Sequence, residues 1–241
     1  MKNIRLIAVA ALAFIALTAC KKEASKPKKV TYNRSKVAAA PKKLDSTQIK
    51  VADLPIHMEG TKYLIHPVGD IRIYDDAGRS YGSSRGAVSY AISNYNRYEI
   101  TGYFENIKFQ HVDSTALKPL TDKKLQIQTV TYLDGIARKG KKQILVYALV
   151  DSDTNQDGKV DANDIKSFYI SNIDGSHFKK LSGDVQELLD WNVIEAQNKV
   201  YFRTLEDINK NGAFDKNDAV HYHYADLLSD EWTVTDYEPV Q

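Results

Sequence analysis

The sequence predicts an all-β protein built from antiparallel strands that repeat along the chain. Short runs of β-branched and aromatic residues recur through residues 51–241 with turn residues between them, which is typical of strands. A unit of strand, turn, strand, loop and strand spans residues 125–182 and repeats over residues 185–235. We expect these units to form a partial propeller-like array, a curled sheet or a sandwich. The 15 tyrosines of the chain fit such a fold, because aromatic residues favour strands.

The first 19 residues have the features of a secretory signal peptide. Lys2 and Arg5 precede an apolar stretch over residues 6–16, which is too short to span a membrane comfortably. The tetrapeptide Leu17-Thr18-Ala19-Cys20 follows, and it closely resembles a bacterial lipobox. The resemblance implies removal of residues 1–19 and lipidation of Cys20, the only cysteine of the chain. Several acyl chains on Cys20 would hold the protein firmly in a membrane.

Residues 20–50 are predicted to be a flexible tether between Cys20 and the folded domain. Residues 21–50 contain ten Lys or Arg and two acidic residues, so like charges keep the segment extended. Lys21 stands where an Asp would resemble an inner-membrane retention signal, and this favours the outer membrane. The basic start of the tether does not resemble the acidic signals of some surface lipoproteins. We therefore expect the periplasmic face of the cell envelope.

Residues 51–241 are predicted to form one β-repeat domain with an acidic surface. They contain 21 Lys or Arg and 29 Asp or Glu, a formal net charge of −8. An acidic domain outside the cytoplasm does not favour nucleic acid as a partner. The expected partners are the membrane, through Cys20, and an envelope protein or glycan.

Two twelve-residue segments of this domain, residues 153–164 and 207–218, share one pattern. Asp or Asn stands at positions 1, 3, 5, 9 and 12, glycine at position 6 and an apolar residue at position 8. This pattern resembles the calcium loop of EF-hand and dockerin proteins, with Asp in place of Glu at position 12. The ligands that the resemblance implies are Asp153, Asn155, Asp157, Asp161 and Asp164 in the first loop, Asp207, Asn209, Asn211, Asp215 and Asp218 in the second, and the main-chain carbonyls of Lys159 and Ala213 at position 7.

The residues around the two loops predict strands rather than the helices of an EF-hand. The flanking runs, residues 143–150, 165–172, 199–205 and 219–225, are short, β-branched and aromatic. The first ligands lie 54 residues apart, so the close pairing of dockerin loops is not expected. We predict two Ca²⁺ sites that stabilise strand connections. The alternative is a pair of metal-free surface turns, since Asp, Asn and Gly are favoured in turns.

A weaker repeat extends upstream of the loops. Residues 98–104 and 106–113 are predicted to form an earlier unit without a metal loop. Residues 109–121 and 168–182 share an aromatic strand, an Asp-containing turn and a Leu followed by Ser or Thr, which resembles the outer strand of TolB-type β-propeller blades. About 190 residues at a period near 54 give three to four units, at or below the low end of the 4–8 blades of a closed propeller.

No recognisable catalytic motif occurs in the sequence, and we predict a non-catalytic binding or scaffold protein. The alternatives are a glycan-binding lipoprotein and a hydrolase whose site is assembled from scattered loops. His221 and His223 could act as zinc ligands, and Asp184, Glu187 and Asp190 could act as glycosidase carboxylates, but a strand or turn surface explains both sets better. A strip of exposed Tyr and Trp, including Trp191 and Trp232, would favour a glycan, whereas a deep pocket with converging carboxylates would favour a hydrolase.

The lipobox generates a direct test of membrane anchoring. Replacing the acylated sulfur in Cys20→Ser should move the protein from the detergent phase to the aqueous phase in a phase-partition assay. The matched control Ser25→Ala lies in the same segment and should stay in the detergent phase. A wild-type chain that enters the aqueous phase after signal removal elsewhere would contradict the lipid anchor.

Overall fold

The computed structural model describes residues 27–32, 48–72, 91–140 and 142–240. Within these ranges the chain forms fifteen strands and one short helix, arranged in three antiparallel sheets, so the predicted all-β class is confirmed. The signal peptide and Cys20 lie outside the described residues. In the described part, no helix has the length and apolar character needed to cross a membrane.

The strands in the first half of the domain are β1 (Gln48–Ala52), β2 (Ile56–His57), β3 (Tyr63–Arg72), β4 (Ser93–Asn96), β5 (Glu99–Phe104), β6 (Asn106–His111), β7 (Lys118–Pro119) and β8 (Gln126–Tyr132). After the helix α1 (Asp134–Gly140) follow β9 (Ile144–Val150), β10 (Lys166–Asn172), β11 (Lys179–Lys180), β12 (Gln186–Ile194), β13 (Lys199–Glu206), β14 (Ala219–Asp226) and β15 (Val234–Asp236).

The three sheets are open; the strands of the first two alternate along the chain, and the third is formed by the last four strands. The first has the order β1-β3-β6-β7, with β2 also paired to β3. The second has the order β11-β10-β9-β8-β5-β4, and the third has the order β12-β13-β14-β15. The repeat of strand, connection, strand, loop and strand is present as β8-β9-β10 in the second sheet and β12-β13-β14 in the third.

Two details differ from the sequence-based prediction. Residues 98–104 and 106–113 were expected in one unit, but β5 belongs to the second sheet and β6 to the first. The chain changes sheets at Glu105, whose amide donates to the carbonyl of Val68 at 2.8 Å. The connection after β8 is α1 rather than a hairpin turn, because Asp134 and Arg138 form an i,i+4 ion pair and Ile136 is buried beneath them.

The core lies between the sheets, and β9 contributes to it on both faces. All seven of its residues are buried. Leu145, Tyr147 and Leu149 pack in the cluster beneath the first and second sheets. The alternate residues Ile144 and Val146 pack in the cluster that joins the second and third sheets. A strand covered on both faces is a continuous apolar run, which is what residues 144–150 are.

The tether also differs from its prediction over two short stretches. Residues 27–32 do not extend freely but lie across both predicted calcium loops. Residues 48–50 belong to β1, which pairs with β3, so the folded domain begins slightly before residue 51. In both stretches, main-chain hydrogen bonds to distant strands or loops fix the chain, and between residues 27 and 32 they outweigh the repulsion between Lys28 and Lys29.

Candidate metal centre

Both predicted loops connect neighbouring antiparallel strands. Residues 153–164 lie between β9 and β10, and residues 207–218 lie between β13 and β14. The strand pairs are in register up to the loops, with Val150 opposite Lys166 and Glu206 opposite Ala219. The prediction that strands flank the loops is therefore confirmed.

The backbone follows the same path in the two loops. Position 4 has a positive φ in both, 63° at Gln156 and 55° at Lys210. Position 6 is also left-handed, with φ of 84° at Gly158 and 86° at Gly212. Only glycine adopts that conformation at little cost, which explains the glycine at position 6. These turns curl each loop so that its side chains point to its own interior.

The hydrogen bonds inside the loops repeat position by position. The amide of position 5 donates to the side chains of positions 1 and 3, at 3.0 and 2.9 Å in the first loop and 3.1 and 2.9 Å in the second. The amide of position 6 donates to position 1 at 2.8 and 2.6 Å, and that of position 7 to position 5 at 2.9 and 2.7 Å. The amide of position 9 donates to position 12 at 3.0 and 2.7 Å, and that of position 11 to position 9 at 2.9 and 2.8 Å. The side-chain oxygens at positions 1, 3, 5, 9 and 12 therefore face amides of their own loop in both loops.

Position 12 of the first loop is buried and well satisfied. Asp164 is 0% exposed. Its Oδ1 accepts from the amides of Thr154 and Asn155 at 2.8 and 3.1 Å, and its Oδ2 from the amide of Asp161 at 3.0 Å. A carboxylate has about four lone-pair sites, so one side of Oδ2 stays available to a further partner.

Position 12 of the second loop is less well satisfied. The Oδ2 of Asp218 accepts from the amide of Asp215 at 2.7 Å, but its Oδ1 is buried with no hydrogen-bond partner among the described residues. Position 2 is Ile208 here, which offers no hydroxyl of the kind Thr154 brings beside Asp164. A buried carboxylate oxygen without a partner is costly, and a cation would remove that cost. The donor set of the second loop therefore fits a metal ion.

The electrostatics of the second loop support the same fit. Asp207, at position 1, is 2% exposed, although ionised carboxylates are rarely buried unless paired or bound to metal. Burial and the neighbouring Asp207 raise the pKa of Tyr32 to about 12. No group of three or more His, Cys, Asp or Glu that would hold a metal by itself occurs in the described ranges. A calcium site also uses Asn side chains and main-chain carbonyls, which such a group does not include.

The other polar candidates are each engaged separately. The Nε2 of His221 lies 2.7 Å from Glu206, and the Nδ1 of His223 lies 2.7 Å from Asp236. His223 also contacts the buried Thr204, at 2.9 Å. The two histidines thus have different acidic partners on the inner face of the third sheet. His223 is buried and His221 is half-buried, and each is explained by its own carboxylate partner.

The three carboxylates considered for hydrolysis do not form one site. Asp184 pairs with Lys180, Glu187 with Lys29 and Asp190 with Arg203. The hydrogen bond from Arg203 lowers the pKa of Asp190. A cavity of about 530 Å³ between the second and third sheets is lined by Asp174 and Asp230, but these pair with Ser176 and Lys142.

An aromatic strip that the sequence did not single out covers the outer face of the third sheet. It consists of Tyr201, Tyr222, Tyr224 and Tyr237, which we call the tyrosine strip. The ring centroid of Tyr237 lies 5.6–6.0 Å from those of the other three, and those of Tyr201 and Tyr224 are 5.5 Å apart. The alternation of His and Tyr in β14 was its only signal in the sequence. The tryptophans lie elsewhere: Trp232 is 2% exposed, and Trp191 stacks on Phe168 in the core.

Comparisons with known protein families, with curated proteins and with solved structures find no match to this chain.

The two position-12 carboxylates should respond differently to neutralisation. Without calcium, Asp164→Asn should lower the free energy of unfolding by about 1–3 kcal/mol, because both of its oxygens accept hydrogen bonds that one amide cannot replace. Asp218→Asn keeps an acceptor for Asp215 and removes charge from a buried unpaired oxygen, so stability should not fall. Urea unfolding in chelator measures both, with the exposed Asp184→Asn as control, expected within about 0.5 kcal/mol of wild type. Equal losses at the two positions would contradict this asymmetry.

Proposed function

We propose that this chain is a calcium-binding, lipid-anchored protein of the cell envelope. Its folded domain acts as a non-catalytic binding or scaffold module. The observation that carries the proposal is in the second loop, where a buried oxygen of Asp218 has no hydrogen-bond partner among the described residues. The first loop repeats the same backbone and hydrogen bonds, which supports a second site of the same kind.

Calcium would be held by the carboxylates and amides of the two loops together with the position-7 carbonyls of Lys159 and Ala213. When bound, the ion supplies positive charge to the clustered carboxylates. The loops join strands that are already in register, so binding would fix strand connections. A sensor EF-hand behaves differently, because its helices move apart to open a groove.

The lipobox supports the proposed address of the protein. Lipidated Cys20 would place the domain at a membrane, and Lys21 after it favours the outer membrane with the domain on the periplasmic side. The envelope outside the cytoplasm can supply the calcium that loops closed by the short Asp would need. Extracellular calcium modules commonly work with dissociation constants of about 10⁻⁴–10⁻³ M.

A second candidate function, glycan binding, is favoured by the tyrosine strip. Aromatic rings on a flat sheet face offer apolar surface with hydroxyl groups at its edge, which is suited to sugars. The Nζ of Lys199 lies 3.9 Å from the ring centroid of Tyr224, and Arg203 and Asp190 pair beside the strip. Partial burial raises the pKa of the Tyr237 hydroxyl.

Calcium should stabilise the folded protein. At free calcium 100-fold above the dissociation constant, each site that binds only the folded state adds about 2.7 kcal/mol, so chelation should lower the melting temperature. The double variant Asp157→Ala/Asp215→Ala should lose most of this response. Asp184→Ala, an exposed acid outside the loops, should keep it. A wild-type melting temperature that calorimetry finds unchanged by chelator would remove the proposed calcium function.

Glycan binding is tested by affinity electrophoresis in gels that contain cell-envelope polysaccharide. Removing a contacting ring in Tyr201→Ala or Tyr222→Ala costs on the order of 1 kcal/mol, roughly a fivefold loss of affinity. Tyr103→Ala is the matched control, because Tyr103 is 67% exposed on a different sheet. Equal retardation of all three variants would reject the tyrosine strip as a sugar site.

A further inference from the structure

Residues 27–32 cross the cleft between the two loops, and we call this segment the strap. It is 121 or more residues away from either loop in sequence, yet it hydrogen-bonds to both. Val30, near its centre, is 5% exposed although Lys28 and Lys29 precede it. The strap is therefore seated in the protein as a peptide ligand would be.

The second loop holds the strap through its position-6 glycine. The amides of Lys29 and Val30 both donate to the carbonyl of Gly212, at 2.7 and 3.1 Å. A Cβ on Gly212 would lie 2.4 Å from the carbonyl oxygen of Val30. Glycine at this position is therefore needed twice, once for the turn of the loop and once for the close approach of the strap.

The first loop holds the strap through positions 2 and 3. The amide of Thr31 donates to the carbonyl of Thr154 at 2.9 Å, and its hydroxyl donates to the carbonyl of Asn155 at 2.8 Å. In return, the hydroxyl of Thr154 donates to the carbonyl of Lys29 at 2.7 Å. The same Thr154 hydroxyl lies 3.2 Å from Asp164, so strap and position 12 share one side chain.

An ion pair adds a third attachment. The Nζ of Lys29 lies 2.8 Å from Glu187, and both side chains are partly buried. The other carboxylate oxygen of Glu187 accepts from the amide of Lys166, the first residue of β10, at 2.8 Å. The strap thus contacts both loops directly, and through Glu187 of β12 it is linked to the start of β10.

We propose that the cleft between the two loops is a peptide-binding site for residues 27–32, and that strap docking and calcium binding strengthen each other. The carbonyls that receive the strap belong to positions 2, 3 and 6, in the tightly curled half of each loop. An ion that fixes this half also fixes the acceptors of the strap, and the converse follows because linkage between two ligands is reciprocal. This inference rests on the proposed calcium function.

Cleavage of the strap reports its docking directly. The full-length lipoprotein in detergent micelles is treated with a lysine-specific protease that needs no calcium, and cleavage after Lys28 and Lys29 is followed by mass spectrometry. With Ca²⁺, these bonds should be cut at least about fivefold more slowly than in chelator, the low end of typical coupling between sites. Cleavage of a short unstructured peptide in both buffers corrects for any change in protease activity.

The variant Thr31→Val removes the hydroxyl donor while keeping the side-chain shape. In this variant, calcium should lose most of its effect in slowing cleavage after Lys29. Calorimetry should show that the calcium affinity falls by the same factor as this loss of protection. Thr115→Val is the matched control, because Thr115 is exposed and outside the strap and loops, and it should behave as wild type.

The outcomes separate the two proposals. Calcium that binds and raises the melting temperature without changing cleavage after Lys29 would overturn the coupling and leave the calcium function intact. Peptide bonds of the strap that resist the protease equally well in calcium and in chelator would also overturn the coupling and leave the calcium function intact. A chain that shows no calcium binding by calorimetry would remove both.

Discussion

Acidic side chains in the two loops accept hydrogen bonds from amides of the same loop. The connections from β9 to β10 and from β13 to β14 depend on these bonds. The carboxylates at position 1 accept hydrogen bonds from the amides of positions 5 and 6, and those at position 12 accept from the amide of position 9. These bonds close each loop between residues that are already paired across the strands. The arrangement also gathers negative charge in a small space, and within the described part of the chain one carboxylate oxygen of Asp218 is buried without a hydrogen-bond partner. The fold therefore contains a position where a cation would relieve an electrostatic cost.

Much of the strand pattern was visible in the sequence because it rests on local chemistry. Strand β9 is a continuous apolar run, and the residues on either side of the loops are β-branched and aromatic. Helix α1 was not visible, because seven residues that include Gly135 and Gly140 give a weak helical signal. The change of sheet at Glu105 was not visible either, since one residue without a turn motif separates β5 from β6.

The predicted ligand positions depend on spacing alone, and the structure turns each of their side chains toward its loop. What the sequence could not show are contacts between distant segments. The strap contains two adjacent lysines, so its sequence predicts a solvated tether. Only the structure shows that two of its amides donate to the carbonyl of Gly212. The tyrosine strip needs three strands in register before its rings meet. The oxygen of Asp218 is unusual because it is buried and has no hydrogen-bond partner among the described residues. A sequence pattern cannot show that a hydrogen bond is absent.

The docking of the strap limits how far the folded domain can extend from the membrane. In the proposed lipid-anchored state, residues 21–26 alone separate Cys20 from Pro27. At about 3.4 Å per residue, a docked strap keeps the loop end of the domain within about 25 Å of the bilayer surface. With the strap released, the tether runs to Gln48, and the same rise per residue allows about 95 Å. Calcium would then set how far the domain can stand from its membrane, and so which partners across the envelope it can touch.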